Sequence, residues 1–285
     1  MIKLLALDLD GTLLNSKGKI SDQNKSAIRK AEEKGVLVTI ATGRRFRDAL
    51  PVAIEAEFNA PIITHNGALL KFATSLETVS FSVIKTETVS EILRVGKDFG
   101  GDPLLSADPY GKGTLYYDTV SDKNIPLKKY LAWSQTLHGD EAENSVLHVE
   151  NLNDIIGNLE TVHVSFSGTC EPMLEIQKIL QFELKDSVNI LATVYPHLDF
   201  TLLDILPPGA SKAHGVNELA KIHNLTGENV MCIGDNFNDL EMLEYAGTPV
   251  VMGNASPELL EREEFYATLS NDESGVAAAI ERFIL

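Results

Sequence analysis

Cysteine is scarce in this sequence. Cys170 and Cys232 are the two cysteines among 285 residues, and both lie in apolar segments typical of buried strands. Two buried, reduced thiols suit a reducing compartment and exclude a disulfide framework as the basis of the fold. A chain of this length buries a sufficient core without such links.

Basic residues are also few, since 24 lysines and arginines stand against 41 aspartates and glutamates, for a formal net charge of −17. A surface of this sign repels nucleic-acid backbones. The sequence lacks an apolar run of the roughly 18 residues that cross a membrane, and its short apolar N-terminus is unlike a secretory signal. We therefore expect a cytoplasmic protein without a nucleic-acid or membrane partner.

Familiar nucleotide and metal motifs are missing too. The sequence contains no G-x-x-x-x-G-K-[ST], G-x-G-x-x-G or H-E-x-x-H segment, which argues against P-loop, dinucleotide and zinc-protease sites. An EF-hand loop starting at Asp235 fails because Phe237, Leu240 and Ala246 occupy its third, sixth and twelfth positions.

What is present is an alternation of short apolar runs with helical segments, before residue 70 and again after residue 210. The predicted strands are residues 2–7, 36–41, 61–67, 229–235 and 248–253. Strands and helices that alternate at this spacing predict right-handed crossovers and a parallel sheet.

The middle of the chain follows a different pattern. Residues 86–99 and 171–184 are predicted helices, and the strand-like runs around them alternate apolar and polar residues with a turn at 109–114. We therefore predict an α/β protein with a Rossmann-like parallel-sheet core, formed by residues 1–82 and 191–285, and an α+β cap domain inserted at residues 83–190.

Polar side chains follow several of the predicted core strands at the point where each strand ends. They are Asp8 and Asp10 after the first strand, Thr42 after the second, Asn66 after the third and Asp235 after the fourth. Ligand sites of open parallel sheets lie at these carboxyl ends, so the polar groups are expected to converge on one crevice.

The segment Asp8-Leu9-Asp10-Gly11-Thr12 suits acid–base and nucleophilic chemistry. One carboxylate can coordinate a cation and attack phosphorus, while the other gives a proton to the leaving oxygen and later takes one from water. The alternative is an ordinary Asp-Gly turn. The buried strand in front of Asp8 favours the catalytic interpretation.

Three further residues could hold an anion. Thr42 and Gly43, at a strand end before a helix, offer a hydroxyl and a backbone N–H to phosphate oxygens, although Thr42 could equally be a helix cap. Lys212 lies in the first turn of a predicted helix, where a cation opposes the helix dipole. That position makes sense if Lys212 neutralises a carboxylate and a phosphoryl group; the alternative is a surface lysine.

The segment after the fourth strand carries three more candidates. Asp235 could complete the oxygen shell of a hard cation, Asn238 could bind phosphate, and Asp239 could orient Lys212. An Asx-rich helix cap is the alternative.

Together these segments resemble the haloacid dehalogenase (HAD) superfamily, in its Cof-like sugar-phosphatase branch with a type IIB cap. The matching segments, in the family's order, are DLDGTLL (8–14), ATGR (41–44), NGA (66–68), GASK (209–212), GDNFNDLEML (234–243), VVMGNA (250–255) and SGVAAAI (274–280). They span nearly the whole predicted core.

The resemblance implies a Mg²⁺-dependent phosphatase that acts on a small phosphorylated metabolite, with a sugar phosphate as the expected class. Asp8 would form an aspartyl-phosphate and Asp10 would be the general acid and base. The Asp8 carboxylate, the Asp10 backbone carbonyl and Asp235 would hold Mg²⁺, with Asp239 in a supporting role.

The resemblance also implies a phosphoryl-binding set made of Thr42, Lys212 and Asn238, with backbone N–H groups near Leu9 and Gly43. Two alternatives are a phosphomutase of the same superfamily and a sugar-phosphate sensor without catalysis. A degenerate sensor is expected to lack a catalytic carboxylate, and both Asp8 and Asp10 are present.

Overall fold

The computed structural model describes the backbone of all 285 residues and every side chain except those at positions 140, 142 and 143. Its strands, in chain order, are β1 (Leu4–Leu7), β2 (Leu37–Ile40), β3 (Ile62–Thr64), β4 (Leu69–Lys71), β5 (Thr78–Phe81), β6 (Leu104–Ala107), β7 (Thr114–Tyr117), β8 (Val146–His148), β9 (His163–Gly168), β10 (Asn189–Tyr195), β11 (Phe200–Leu206), β12 (Val230–Gly234), β13 (Thr248–Val251) and β14 (Tyr266–Ala267).

The α-helices lie between these strands, and short 3₁₀ turns join several elements. The helices are α1 (Asp22–Glu33), α2 (Phe46–Ala56), α3 (Thr86–Asp98), α4 (Ile125–His138), α5 (Ala142–Ser145), α6 (Cys170–Leu184), α7 (Lys212–Ile222), α8 (Leu240–Tyr245), α9 (Pro257–Leu260) and α10 (Gly275–Phe283).

The chain divides into two compact units. The first comprises Met1–Arg44, Ala49–Val79 and Ser211–Leu285. The second comprises Arg45–Asp48 and Ser80–Ala210.

The boundaries of the second unit differ from those of the predicted cap, residues 83–190. The unit continues to Ala210 because β10 and β11 pair with each other and β11 pairs with β9, which makes both strands part of the same sheet. The second core segment therefore starts at Ser211 rather than at residue 191.

A parallel sheet forms the centre of the first unit. Its strand order is β14–β13–β12–β1–β2, and each neighbouring pair runs parallel. Strands β1 and β12 are buried along their whole length, as expected for strands of a parallel sheet that is covered on both faces. The predicted Rossmann-like α/β core is thus confirmed.

Helix α1 illustrates how the local sequence forms the first unit. Ser21 caps its N-terminus, where the side-chain oxygen accepts a hydrogen bond from the Asn24 N–H. The buried face includes Ala27, Ile28 and Ala31, and α1 packs against α10. The buried Asn24 amide oxygen accepts the Ala277 N–H at 2.9 Å, which ties the two helices together.

The second unit is an α+β structure built on a sheet of order β10–β11–β9–β6–β7–β8. Its pairings are antiparallel except for β7 with β8, and helices α3 and α6 pack on it. Gly96 of α3 allows close packing, since a Cβ there would lie 2.2 Å from the Phe166 ring on β9.

Helix α4 was not predicted from the sequence. It buries Leu127 and Ser134 but leaves Ile125 and Trp133 about half exposed, so its apolar residues do not mark a single buried stripe. Across the described residues, no helix combines the length and the apolar character that a membrane span requires.

Candidate active site

Two aspartates meet at one edge of the parallel sheet. Asp8 follows β1 and Asp235 follows β12, and these strands are adjacent and parallel, with Leu7 opposite Ile233. Because parallel strands end at the same edge, the two side chains emerge together. One carboxylate oxygen from each of Asp8, Asp235 and Asp239 lies within 4.8 Å of the others.

Lys212 joins this cluster from the start of α7. Its Nζ donates hydrogen bonds of 2.5 Å to Asp8 Oδ1 and 2.6 Å to Asp239 Oδ1. Ser211 caps this helix, because its side-chain oxygen accepts the His214 N–H. The cap makes Lys212 the first residue of α7. Lys212 is 2% exposed, so its ammonium is almost fully withdrawn from water.

The charges in this cluster shift the pKa values of its members. Burial alone lowers the pKa of Lys212, but the charges of Asp239 and Asp8 outweigh burial and raise it. Burial and the neighbouring Asp239 raise the pKa of Asp8 well above its usual value, although Lys212 opposes them. Burial and Asp239 also raise the pKa of Asp235 to about 6.

Three carboxylates share this cluster with the single ammonium of Lys212, so one cation faces three potential anions. Among the described residues, Asp8, Asp235 and Asp239 form a group that could hold a metal ion. Carboxylate oxygens are the donors that hard divalent cations prefer, so the residues present fit such an ion.

The loops at the strand ends fix the carboxylates of Asp235 and Asp239. Thr12 Oγ1 donates to Asp235 Oδ1 at 3.0 Å, and Asp239 Oδ2 accepts the N–H groups of Asp235 and Asn236 at 3.0 and 3.1 Å. Gly11 has a φ of +83°, and a Cβ there would lie 2.4 Å from Asp235 Oδ2. Glycine is therefore required for the close approach of the two loops.

Asp10 is not a member of this three-carboxylate group and pairs with Arg44. Arg44 Nε donates to Asp10 Oδ2 at 2.8 Å and Nη2 donates to Oδ1 at 2.5 Å. The Asp10 side chain is 58% exposed and that of Arg44 is 25% exposed. The sequence does not indicate the direction of the Arg44 side chain, because 34 residues separate it from Asp10 and no local pattern links them.

Thr42 and Gly43 lie in a tightly held loop. The buried Thr42 hydroxyl accepts the Arg44 N–H at 3.1 Å, and the Thr42 carbonyl accepts the Asn66 N–H at 3.0 Å. His65 and Asn66 both have a φ of +50°, which turns the chain back toward this loop. A Cβ at Gly43 would lie 3.1 Å from the Asn66 amide, so Asn66 packs directly against the loop.

The remaining predicted residues belong to the same two strand ends. Leu9 follows Asp8 and its side chain is fully buried, and its carbonyl accepts the Leu14 N–H. Asn238 is exposed in the 3₁₀ turn Phe237–Asp239, directly before the buried Asp239. Thr12 belongs to the first motif, and its bond to Asp235, 223 residues away, has no signal in the local sequence.

The chain belongs to the haloacid dehalogenase-like hydrolases, whose sequence model matches residues 5–280. That span runs from β1 into α10 and contains all the segments on which the resemblance was based. The predicted superfamily is therefore confirmed.

Curated relatives match along almost their whole length. The 5-amino-6-(5-phospho-D-ribitylamino)uracil phosphatase YwtE of Bacillus subtilis (strain 168) is 31% identical over 293 residues, which cover 99% of this chain and 98% of the relative. The phosphatase YwpJ of the same organism is 29% identical over 295 residues, which cover 97% of this chain and 98% of the relative.

Solved structures share the fold. A haloacid dehalogenase-like hydrolase from Bacteroides thetaiotaomicron superposes with a TM-score of 0.80 at 28% identity and 99% coverage of both chains. The subclass IIB sugar phosphatase BT4131 has a TM-score of 0.77 at 24% identity, covering 99% of this chain and 98% of that one. The predicted enzyme class, a HAD-type phosphatase, is confirmed by the family and these relatives.

Proposed function

We propose that this chain is a Mg²⁺-dependent phosphatase that hydrolyses a small phosphorylated metabolite through an aspartyl-phosphate on Asp8. The contact that carries the proposal is Lys212 between Asp8 and Asp239, at 2.5 and 2.6 Å. A buried ammonium at this point can neutralise both the nucleophile and the oxygens of a transferring phosphoryl group.

The first step transfers the phosphoryl group to the enzyme. An Asp8 carboxylate oxygen forms a bond to phosphorus, and the ester P–O bond breaks with its electron pair on the leaving oxygen. The Asp10 carboxyl gives its proton to that oxygen, so the product leaves as a neutral alcohol.

The second step regenerates the enzyme. A water oxygen forms a bond to phosphorus while the water proton passes to the Asp10 carboxylate. The bond between phosphorus and Asp8 breaks, and its electron pair returns to the Asp8 carboxylate. Inorganic phosphate is released, and Asp10 is protonated again for the next turnover.

Thr42, Lys212 and Asn238, with the backbone N–H groups near Leu9 and Gly43, hold the phosphoryl oxygens in this proposal. The well-anchored Thr42–Gly43 loop suits that task, because phosphoryl transfer depends mostly on positioning and charge stabilisation.

The carboxylates of Asp8 and Asp235 and the backbone carbonyl of Asp10 would hold Mg²⁺, with Asp239 in support. Bound Mg²⁺ supplies the positive charge that lets these carboxylates and a phosphate dianion share one site. The raised pKa values of Asp8 and Asp235 are compatible with this assignment, since both come from burial first and from the neighbouring charge of Asp239 second.

Sugar phosphates are the substrate class that we propose. Two relatives, YwtE and YcsE, carry names that specify a phospho-D-ribityl compound, and the fold matches that of a subclass IIB sugar phosphatase. A cytoplasmic location stays a prediction from the charge and composition of the chain.

The proposal is tested with Asp8→Asn and with Asp186→Asn as the matched control, since Asp186 is an exposed aspartate of the second unit. Phosphate release from hexose phosphates, pentose phosphates and p-nitrophenyl phosphate is measured with Mg²⁺ present. We expect Asp8→Asn to abolish release and the control to retain it. Ordinary activity in Asp8→Asn would refute covalent catalysis by Asp8.

Metal dependence and the mutase alternative need separate measurements. EDTA is expected to stop turnover, and added Mg²⁺ is expected to restore it; full activity in metal-stripped protein would contradict the metal assignment. Release of inorganic phosphate from a simple aryl phosphate favours the phosphatase, whereas a requirement for a sugar bisphosphate favours the mutase.

A further inference from the structure

We infer that Arg44 is a positioning residue that orients the Asp10 carboxyl group for proton transfer, to the leaving group in the first step and from water in the second. The inference rests on the proposed function, in which Asp10 is the general acid and base. Its basis is the two-point contact between the guanidinium and the carboxylate, at 2.8 and 2.5 Å. Such a fork fixes both the place and the plane of a carboxylate, as a single hydrogen bond does not.

Arg44 is the anchored member of this pair. Its N–H donates to Thr42 Oγ1 at 3.1 Å, and its carbonyl accepts the His65 N–H at 3.0 Å. Its side chain is less than half as exposed as that of Asp10. The anchored guanidinium therefore sets the orientation of a carboxylate that solvent would otherwise leave mobile.

The pair also gives Asp10 a cationic partner other than Lys212. One carboxylate oxygen from each of Asp8, Asp235 and Asp239 already lies within 4.8 Å of the others. A fourth carboxylate in that cluster would increase the repulsion. Asp10, two residues after Asp8, pairs with Arg44 and is not a member of that three-carboxylate group.

A contribution to folding stability is the weaker explanation of the pair. Ion pairs with exposed members contribute little to folding because water and salt screen them. A bidentate arginine next to a proposed acid–base group is better explained by orientation, which matters most when a poor leaving group needs a proton.

The test compares two esters that differ in their need for that proton. An alkyl phosphate such as a hexose 6-phosphate needs an acid to release its alkoxide, whereas p-nitrophenyl phosphate releases a stable phenolate. The parameter kcat/KM reports steps up to leaving-group departure, and kcat includes the later hydrolysis of the aspartyl-phosphate. Both are measured for the unmodified enzyme, Arg44→Ala, Arg44→Lys, Asp10→Asn and the double variant Asp10→Asn/Arg44→Ala.

Arg44→Ala is expected to lower kcat/KM for the alkyl ester by about 100-fold and for the aryl ester by less than about 5-fold. With the aryl ester, kcat and KM should fall together, because the second step still needs Asp10 to take a proton from water. Arg44→Lys keeps the positive charge but cannot form the two-point contact. Its kcat/KM for the alkyl ester should lie between those of the unmodified enzyme and Arg44→Ala. The loss of kcat/KM in the double variant should be no larger than in Asp10→Asn alone, because both substitutions remove the same function.

The control is Arg29→Ala, which breaks an exposed ion pair with Glu57 and should leave both esters unaffected. Equal loss of kcat/KM for both esters in Arg44→Ala would overturn the inference, because it would make Arg44 a phosphoryl-binding residue. Unchanged kinetics in Arg44→Ala would overturn it as well. If the unmodified enzyme hydrolysed neither ester, the proposed function itself would fail, and this inference with it.

Discussion

Lys212 Nζ lies 2.5 Å from Asp8 Oδ1, although 204 residues separate the two in the chain. The contact exists because α7 begins at Lys212, beside the carboxyl end of β1, and the helix N-terminus delivers a cation where the dipole alone would favour an anion. The neighbouring carboxylates offset that unfavourable placement. A buried cation in this position links the stability of the site to its chemistry.

Replacement of Lys212 by Met should therefore affect both properties. Asp8 and Asp239 would stay buried without their ammonium, which is expected to cost roughly 3–5 kcal/mol of unfolding free energy in metal-free protein. Turnover should fall at least about 100-fold, because a charge-stabilising group is lost. Urea denaturation and phosphate release measure the two effects.

Lys221→Met is the matched control for that variant, because Lys221 is an exposed lysine in the last turn of the same helix. It should leave stability and turnover near those of the unmodified enzyme. A Lys212→Met protein with unchanged unfolding free energy would contradict the role of the buried ion pair.

Gly11 and Gly18 permit a comparison of two glycines with positive φ, +83° and +69° respectively. Alanine at either position should cost about 1 kcal/mol of backbone strain. A Cβ at Gly11 would also lie 2.4 Å from Asp235 Oδ2, whereas one at Gly18 meets no atom within 4 Å. We expect Gly11→Ala to lose most of its activity and Gly18→Ala to retain it.

Phosphate release and thermal unfolding of the two glycine variants test this expectation. If Gly11→Ala and Gly18→Ala lost similar activity, strain alone would explain the effect. The close approach of Gly11 to Asp235 would then have no catalytic importance.

Much of the core could be predicted because local signals agree with the tertiary fold. The apolar run before Asp8, the Ser21 cap and the apolar face of α1 each specify one element without reference to distant residues. Strand ends that carry polar residues then indicate the edge of a parallel sheet at which a ligand site is expected. On that basis alone, Asp8 and Asp235 could be predicted to lie in the same site.

Contacts between distant residues were harder to predict. The pairing of Arg44 with Asp10 and the bond from Thr12 to Asp235 depend on side-chain directions at loop ends, which periodicity does not encode. The end of the second unit was misplaced for a related reason. Strands β10 and β11 belong to its sheet through non-local pairing with β9, which no local signal reveals.

Thr12→Val should weaken binding of a divalent ion at Asp235. Thr12 is fully buried, and its hydroxyl donates to Asp235 Oδ1 at 3.0 Å, so the isosteric valine removes one hydrogen bond with little change of volume. Loss of a group that orients a metal ligand typically lowers affinity about 10-fold. Calorimetric titration with Mg²⁺ measures the change, and Thr12→Ser, which keeps the hydroxyl, should bind nearly normally. Equal affinities in Thr12→Val and the unmodified protein would show that the hydroxyl does not orient Asp235.

Asp48 should make the second unit sensitive to acid. Its buried carboxylate accepts hydrogen bonds from Arg45 Nε and Nη2 at 2.7 and 2.8 Å and from the Tyr130 hydroxyl at 2.9 Å, and it contacts His138 Nε2 at 2.9 Å. Burial raises the pKa of Asp48, but the bond with His138 and the charge and bonds of Arg45 outweigh burial and hold it well below its usual range. The ionised carboxylate therefore stabilises the fold fully above its unfolded pKa of about 3.9, and the stabilisation is lost as the pH falls below that value.

Asp48→Asn is accordingly expected to cost about 3 kcal/mol of unfolding free energy at pH 7, because Arg45 stays buried without its counter-charge. The difference from the unmodified protein should shrink by roughly 1 kcal/mol at pH 3, where the unfolded carboxyl is protonated. Urea unfolding followed by the fluorescence of Trp133, the single tryptophan, whose ring lies 5.8 Å from that of Tyr130, reports on this unit. Asp186→Asn should leave the curves unchanged at both pH values. If Asp48→Asn lost the same unfolding free energy at pH 7 and at pH 3, the loss would be due to altered packing and not to the missing ionised carboxylate.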